Sequence, residues 1–293
     1  MTSRHPQLPA IGLMLLAVLM FALMDAGLKL LSSHYPSLQV SALRGLSSLP
    51  IVAIWVFATV KPGSLLRVHW PLHLLRGALG IAMMVGFVYG LRTLPLSTVY
   101  AITFVAPLLV TAMAGPLLKE KVGPGRWIAI IVGLIGVLVV LRPTGAGMLT
   151  AGGLAILGAA VCYAAGAITV RMLAQRDSTQ SMVFWFMVLL SLGAWLLALP
   201  GWKALLAGDI WIIVGVGVAG SLAQVALTEA FRRGEASLIA PLEYSALLWG
   251  VILDVALWGV LPDSITWVGA AIIVVSGLYL LRREKVHVEA ERP

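Results

Sequence analysis

Five ionisable side chains stand inside long apolar runs of this chain: Asp25, Arg44, Glu229, Glu243 and Asp254. A charge at mid-bilayer costs at least about 2.5 to 3.5 kcal/mol on insertion scales, so each must face protein or water and find a partner. Asp25 and Lys29 are four apart on one helical face, and Asp25 and Arg44 lie at matching depth in their runs. That geometry has two readings: a structural ion-pair cluster, or an Arg44 whose guanidinium meets a solute carboxylate bidentately. Glu243, Leu247, Gly250 and Asp254 follow one stripe if their run is a continuous helix, because the spacing from first to last is close to three whole turns. Two acids on one face suit a proton path, and equally two separately hydrogen-bonded acids lining a wet cavity.

A second set of candidates is polar and aromatic. Ser97, Tyr100, Phe104 and Thr111 share one stripe, and Ser221, Gln224 and Thr228 another. Thr103, Met84, Tyr163 and Tyr244 join them below by their positions in the chain. An apolar pocket with a few polar groups is what a small organic solute needs, although Tyr163 is read equally well as packing. Pro107 and Pro241 interrupt two of the apolar runs. Each is either an ordinary membrane-helix proline or the mark of a kink at a binding site.

Other chemistry is poorly supported. Gly215, Gly217 and Gly220, with Glu235 beyond, spell a dinucleotide fingerprint. They lie in an apolar helix rather than a strand-turn-helix unit, so close helix packing explains them and no cofactor is expected. His5, His34, His69, His73 and His287 fall at helix ends or tails, too scattered for a metal site. Cys162 is the one cysteine and reads as a small buried hydrophobe. No serine has a His or Asp at matching depth for a nucleophilic triad.

The elements that position these residues follow from composition. With 60% apolar residues, 11% charged residues and a mean hydropathy of +1.01, the chain is read as an all-α integral membrane protein. Apolar runs of bilayer-spanning length predict ten helices: Leu8–Leu31, Ser37–Val60, Trp70–Leu91, Leu96–Leu118, Arg126–Leu141, Leu149–Leu173, Thr179–Leu199, Ala207–Phe231, Ala236–Leu261 and Ile265–Leu281. The first is read as part of the mature protein rather than a signal peptide. The net charge of +8 alternates by loop, with fifteen Lys and Arg on one side, four on the other and Arg44 within a helix. That asymmetry predicts both termini in the cytoplasm and argues against a nucleic-acid face.

The sequence also aligns with itself. Gly77 to Arg142 matches Gly217 to Arg282 without a gap, pairing Gly77 with Gly217, Gly80 with Gly220, Arg92 with Arg232, Ser97 with Ser237 and Trp127 with Trp267. Lys29 stands opposite Arg171 at a slightly different offset. Two five-helix copies, residues 1–145 and 146–293, would enter the membrane with opposite polarity as inverted repeats around a midplane site. At this offset Met84 corresponds to Gln224, Thr103 to Glu243 and Phe104 to Tyr244.

Ten helices in two inverted fives, Leu94-Pro95-Leu96-Ser97 through Pro107, then Leu118-Lys119-Glu120 and the glycines Gly133 and Gly136, resemble the EamA type of the drug/metabolite transporter superfamily. Where that family often places Gly-Glu after the fourth helix of each copy, this chain has Lys119-Glu120 and then Val260-Leu261-Pro262-Asp263. The resemblance implies a multi-pass inner-membrane exporter of small metabolites, with amino acids bearing aromatic or apolar side chains as the leading expectation. The alternatives are uptake of a nucleotide-like metabolite or vitamin, an intramembrane enzyme and a non-transporting assembly protein. The expected partners are a small-molecule substrate and the lipid bilayer, with the chain acting as a monomer and needing neither metal nor nucleic acid.

Overall fold

The computed structural model describes residues 7–60, 65, 68–118, 124–141, 150–173, 175–233 and 240–290. The side chains of Thr228, Glu229 and Pro241 lie outside this description. All its regular elements are helical. The helices are α1 (Gln7–Ser32), α2 (Ser37–Thr59), α3 (Trp70–Thr93), α4 (Leu96–Thr103), α5 (Ala106–Leu118), α6 (Pro124–Leu141), α7 (Ala151–Leu173), α8 (Thr179–Ala198), α9 (Ile210–Arg233), α10 (Ala246–Leu253) and α11 (Ser264–Ala290). Prolines set several starts: Pro36 precedes α2 and Pro95 precedes α4, each with extended backbone that cannot continue the preceding helix. At α8, Ser178 caps the helix by accepting a hydrogen bond from the Ser181 amide at 3.2 Å.

Seven helices among the described residues are long and apolar enough to cross a membrane, and two shorter apolar stretches lie at Trp127–Val140 and Ser264–Tyr279. The expected ninth run is not one α-helix. It comprises a 3-10 turn at Ala240–Ser245, then α10, then a π turn at Asp254–Trp258 that ends at Gly259 with a positive φ of 65°. Glu243 and Asp254 therefore do not share the continuous stripe read from the sequence, because turns of three and of more than four residues rotate the two ends out of register.

Helices pack chiefly as α1 on α9, α3 on α7, α6 on α11 and α2 on α8, while α10 crosses α4. Large apolar side chains such as Ile54 and Trp211 point outward, as they do towards lipid, and the seams are made of small residues. Lipid offers no hydrophobic drive for helix association, so close backbone approach supplies the packing. A methyl added at Gly217 would sit 2.7 Å from the Ser47 carbonyl oxygen, whereas one at Gly215 would meet nothing within 4 Å. Gly217→Ala should therefore destabilise the protein by about 1 to 3 kcal/mol, and Gly215→Ala should leave it unchanged or slightly stabilised. Thermal unfolding midpoints in detergent check this, and equal midpoints for the two variants would refute it.

Candidate functional site

Arg44 lies on α2 where that helix meets α1, α3 and α9. Its Nε donates to the Met24 sulfur at 3.3 Å and its Nη1 to the Met84 sulfur at 3.2 Å. Thioethers are weak acceptors, so these contacts orient the guanidinium without neutralising it. Among the described residues no carboxylate forms an ion pair with Arg44. Asp25 is near enough for its charge to be felt there, but its Oδ2 accepts a hydrogen bond from the Tyr100 hydroxyl at 2.9 Å. The direct Asp25–Arg44 pair expected from the sequence is thus absent, and the reason is local. Tyr100 lies against Gly250, where an added methyl would be 2.7 Å from the ring, and that close packing aims the hydroxyl at Asp25.

Two of the residues read as solute contacts take part in the same arrangement. Tyr100 is buried with its hydroxyl already used, and Met84 is buried behind the guanidinium it holds. Lys29 also has a partner other than the one read from its spacing. Its Nζ lies 3.5 Å from Asp254 Oδ1, donates to the Leu94 carbonyl at 2.8 Å and sits 4.5 Å over the Trp258 ring.

Asp254 is 0% exposed. It accepts the Leu96 amide at 2.9 Å, the Ser97 amide at 2.8 Å and the Ser97 hydroxyl at 2.7 Å. Pro95 leaves the N-terminus of α4 without a side-chain cap, and a carboxylate from the distant end of α10 satisfies the first amides instead. Asp254 thus caps the start of α4.

The fourth run breaks between α4 and α5. Phe104 closes α4, and Pro107 lacks the amide that would have bonded to the Thr103 carbonyl. The Thr103 hydroxyl bonds back to the Val99 carbonyl at 2.8 Å. At this break Phe104 meets Tyr244, from the 3-10 turn, edge to face with centroids 4.9 Å apart. The Tyr244 hydroxyl fits against Gly277 of α11. Next to it in the chain, Glu243 is exposed. Tyr163 of α7 is 52% exposed. Gln224 is half-buried on α9, and the hydroxyl of Ser221 in the same stripe is buried with no hydrogen-bond partner among the described residues. Cys162, read as a buried hydrophobe, is only half-buried.

Two further clusters were missed from the sequence because histidines were weighed only as metal ligands. Asp209 accepts from the Tyr35 hydroxyl at 2.7 Å and pairs with His34 Nδ1 at 2.9 Å. Asp177 pairs with His73 Nε2 at 2.9 Å and accepts the His69 amide at 3.1 Å. Tyr35, in the turn before α2, is almost fully buried, and burial together with the Asp209 carboxylate raises its phenol above the ordinary range against the Leu206 amide that lowers it. The signal was available: His69 aligns with Asp209 in the internal repeat.

The profile of the EamA-like transporter family matches residues 8–142 and 150–282. The chain belongs to that family. It is therefore a multi-pass membrane transporter of the EamA type, a family whose named relatives move small metabolites and are not enzymes. It is 29% identical to the riboflavin transporter of Vibrio cholerae, over 100% of this chain and 99% of that one. It is 25% identical to the pseudopaline exporter CntI of Pseudomonas aeruginosa, over 93% of this chain and 96% of that one. A crystal structure shares the fold at a TM-score of 0.64 and 20% identity, covering 95% of this chain and 98% of its own.

Proposed function

We propose that this protein is a monomeric inner-membrane secondary transporter that exports small amphipathic metabolites, aromatic amino acids first among them. Its ten spans form two inverted halves, residues 1–145 and 146–293, with both termini in the cytoplasm. The seven long helices, the two shorter ones and the segmented stretch at Ala240–Trp258 support the ten spans. The packing supports the inversion: Gly77 lies against Leu189 and Gly217 against Ser47, and each residue of the first contact aligns with one of the second across the halves. Likewise Gly133 approaches Ser276 while Gly136 approaches Ile273, and Phe104 touches Tyr244, its own counterpart. A residue that touches its counterpart sits on the pseudo-twofold axis, where such transporters hold cargo.

The observation that carries the substrate is the separation of Arg44 and Asp25. Opposite charges near enough to feel each other, yet each bonded elsewhere, fit a zwitterion: its carboxylate on Arg44 and its ammonium towards Asp25. Tyr100 bonds Asp25, and Phe104 stands one turn further along α4, so an aromatic side chain would lie on the Phe104–Tyr244 pair. A second reading, riboflavin, is favoured by the likeness to the Vibrio cholerae transporter along the whole chain. The flat ring system of that vitamin suits the same aromatic pair.

Purified protein in liposomes, assayed with labelled phenylalanine and tryptophan and with fluorescent riboflavin, separates the two. Amino-acid flux abolished by Asp25→Asn supports the first reading; riboflavin flux from wild-type protein that moves neither amino acid supports the second and refutes the first. Reporter fusions at Pro143 and His287 should report opposite sides of the membrane. The same side for both would end the inverted-repeat reading.

A further inference from the structure

An inverted-repeat transporter changes sides by exchanging the shapes of its two halves. A contact present on both faces at once survives that exchange, whereas a contact present on one face only has to be broken by it. The two His–Asp clusters are of the first kind. One ties the α1–α2 turn to the start of α9 through His34, Tyr35 and Asp209, and the other ties the α7–α8 turn to the start of α3 through Asp177, His69 and His73. In this structure they tie α1 to α9 and α3 to α7, the two most extensively packed helix pairs.

The cluster of Lys29, Asp254 and Ser97 is of the second kind. At the repeat offset, the counterpart of Asp254 is Ala114, which has no acceptor to cap the equivalent helix or to receive a cation. The carboxylate of this cluster therefore has no counterpart at the aligned position of the first half. We propose that Lys29, Asp254 and the amides of Leu96 and Ser97 form an outer latch. The latch joins α1 and α4 of the first half to α10 of the second and biases the resting protein towards the state closed on the outside.

Every bond in the latch bridges elements that must part for cargo to leave outward. Asp254 holds the α4 N-terminus by three hydrogen bonds, and Lys29 holds Asp254, Leu94 and the Trp258 face together. Tyr100, one turn below Ser97, adds its own bridge from α4 to Asp25 on α1 and packs against Gly250 of α10. The closed face is thus continuous from Lys29 inward to Asp25. Glu243 and Tyr163, on the other side of the Phe104–Tyr244 pair, remain exposed. This inference rests on the inverted-repeat reading above.

The test uses the full chain in lipid nanodiscs with Cys162→Ser as background and spin labels on Ser33→Cys and Leu261→Cys, both exposed. Pulsed electron resonance should give one dominant short distance between them. Asp254→Asn and Lys29→Gln should each move most of the population to a distance longer by about 5 Å, the scale of one helical turn. Asp209→Asn, in a cluster present on both faces, should leave the distribution unchanged. Lys29→Gln keeps a donor for the Leu94 carbonyl and serves where Asp254→Asn does not fold. Unchanged distances in both latch variants, or an equal shift with Asp209→Asn, would overturn the latch. The reporter fusions at Pro143 and His287 decide the repeat reading separately, without reference to these distances.

Discussion

Arg44→Gln should lower kcat/KM for aromatic amino-acid transport by about 30-fold or more, because truncating one partner of a buried, hydrogen-bonded charge pair costs about 2 to 5 kcal/mol. The guanidinium donates to two methionine sulfurs, which carry no charge, and the zwitterion reading proposed above therefore gives it the cargo carboxylate as its partner. Arg44→Lys should not restore the rate. An ammonium is a strongly hydrated point charge and lacks the planar fork that grips a carboxylate with two parallel bonds. Counterflow in proteoliposomes, with initial rates over a range of labelled phenylalanine, measures both variants. The loss should fall on zwitterionic cargo and spare riboflavin, so an equal loss for both solutes would point to a structural role for Arg44.

The sequence alone left this reading beside that of a structural ion-pair cluster. Depth along the apolar runs placed Asp25 and Arg44 together, and the structure brings them near each other without joining them. What the sequence could not show was the competitor: the Tyr100 hydroxyl reaches Asp25 only because α10 presents Gly250 to the ring. Lys29 was misassigned for a similar reason. An i, i+4 spacing makes Asp25 its obvious partner, but Asp254 is brought in by the crossing of α10 over α4, a contact more than two hundred residues away in the chain.

The helical character was legible because bilayer thickness forces apolar runs of one length, and most helix bounds agree within a few residues. The ninth run was not, since periodicity read over one apolar stretch cannot reveal a switch from 3-10 to α to π geometry. The clue lay in Pro241 and Gly259, which bracket it. The His–Asp clusters were hidden by the question asked of the histidines. Each lies at a helix end, where tertiary hydrogen bonds leave no trace in the sequence beyond the correspondence of His69 with Asp209.

The aromatic pair at the helix break should decide which cargo is preferred. Phe104→Ala and Tyr244→Ala should each raise KM for phenylalanine and tryptophan by about 3- to 10-fold, matching the 0.5 to 1.5 kcal/mol that an aromatic contact adds beyond burial. KM for a small aliphatic amino acid should change much less, since such a side chain does not reach both rings. The two rings meet edge to face at 4.9 Å and offer one composite surface. Removing the second after the first therefore costs less than the two single effects combined, and the double variant should resemble the worse single one. Gly277→Ala provides an independent probe away from the cavity. Its new methyl would occupy the space taken by the Tyr244 hydroxyl, so the ring must swing out of its edge-to-face contact with Phe104. It should reproduce the selective rise in KM for aromatic solutes while kcat for aliphatic ones stays within about 2-fold. Uniform effects on aromatic and aliphatic solutes in all three variants would show that this pair supports the helix break and does not read the cargo.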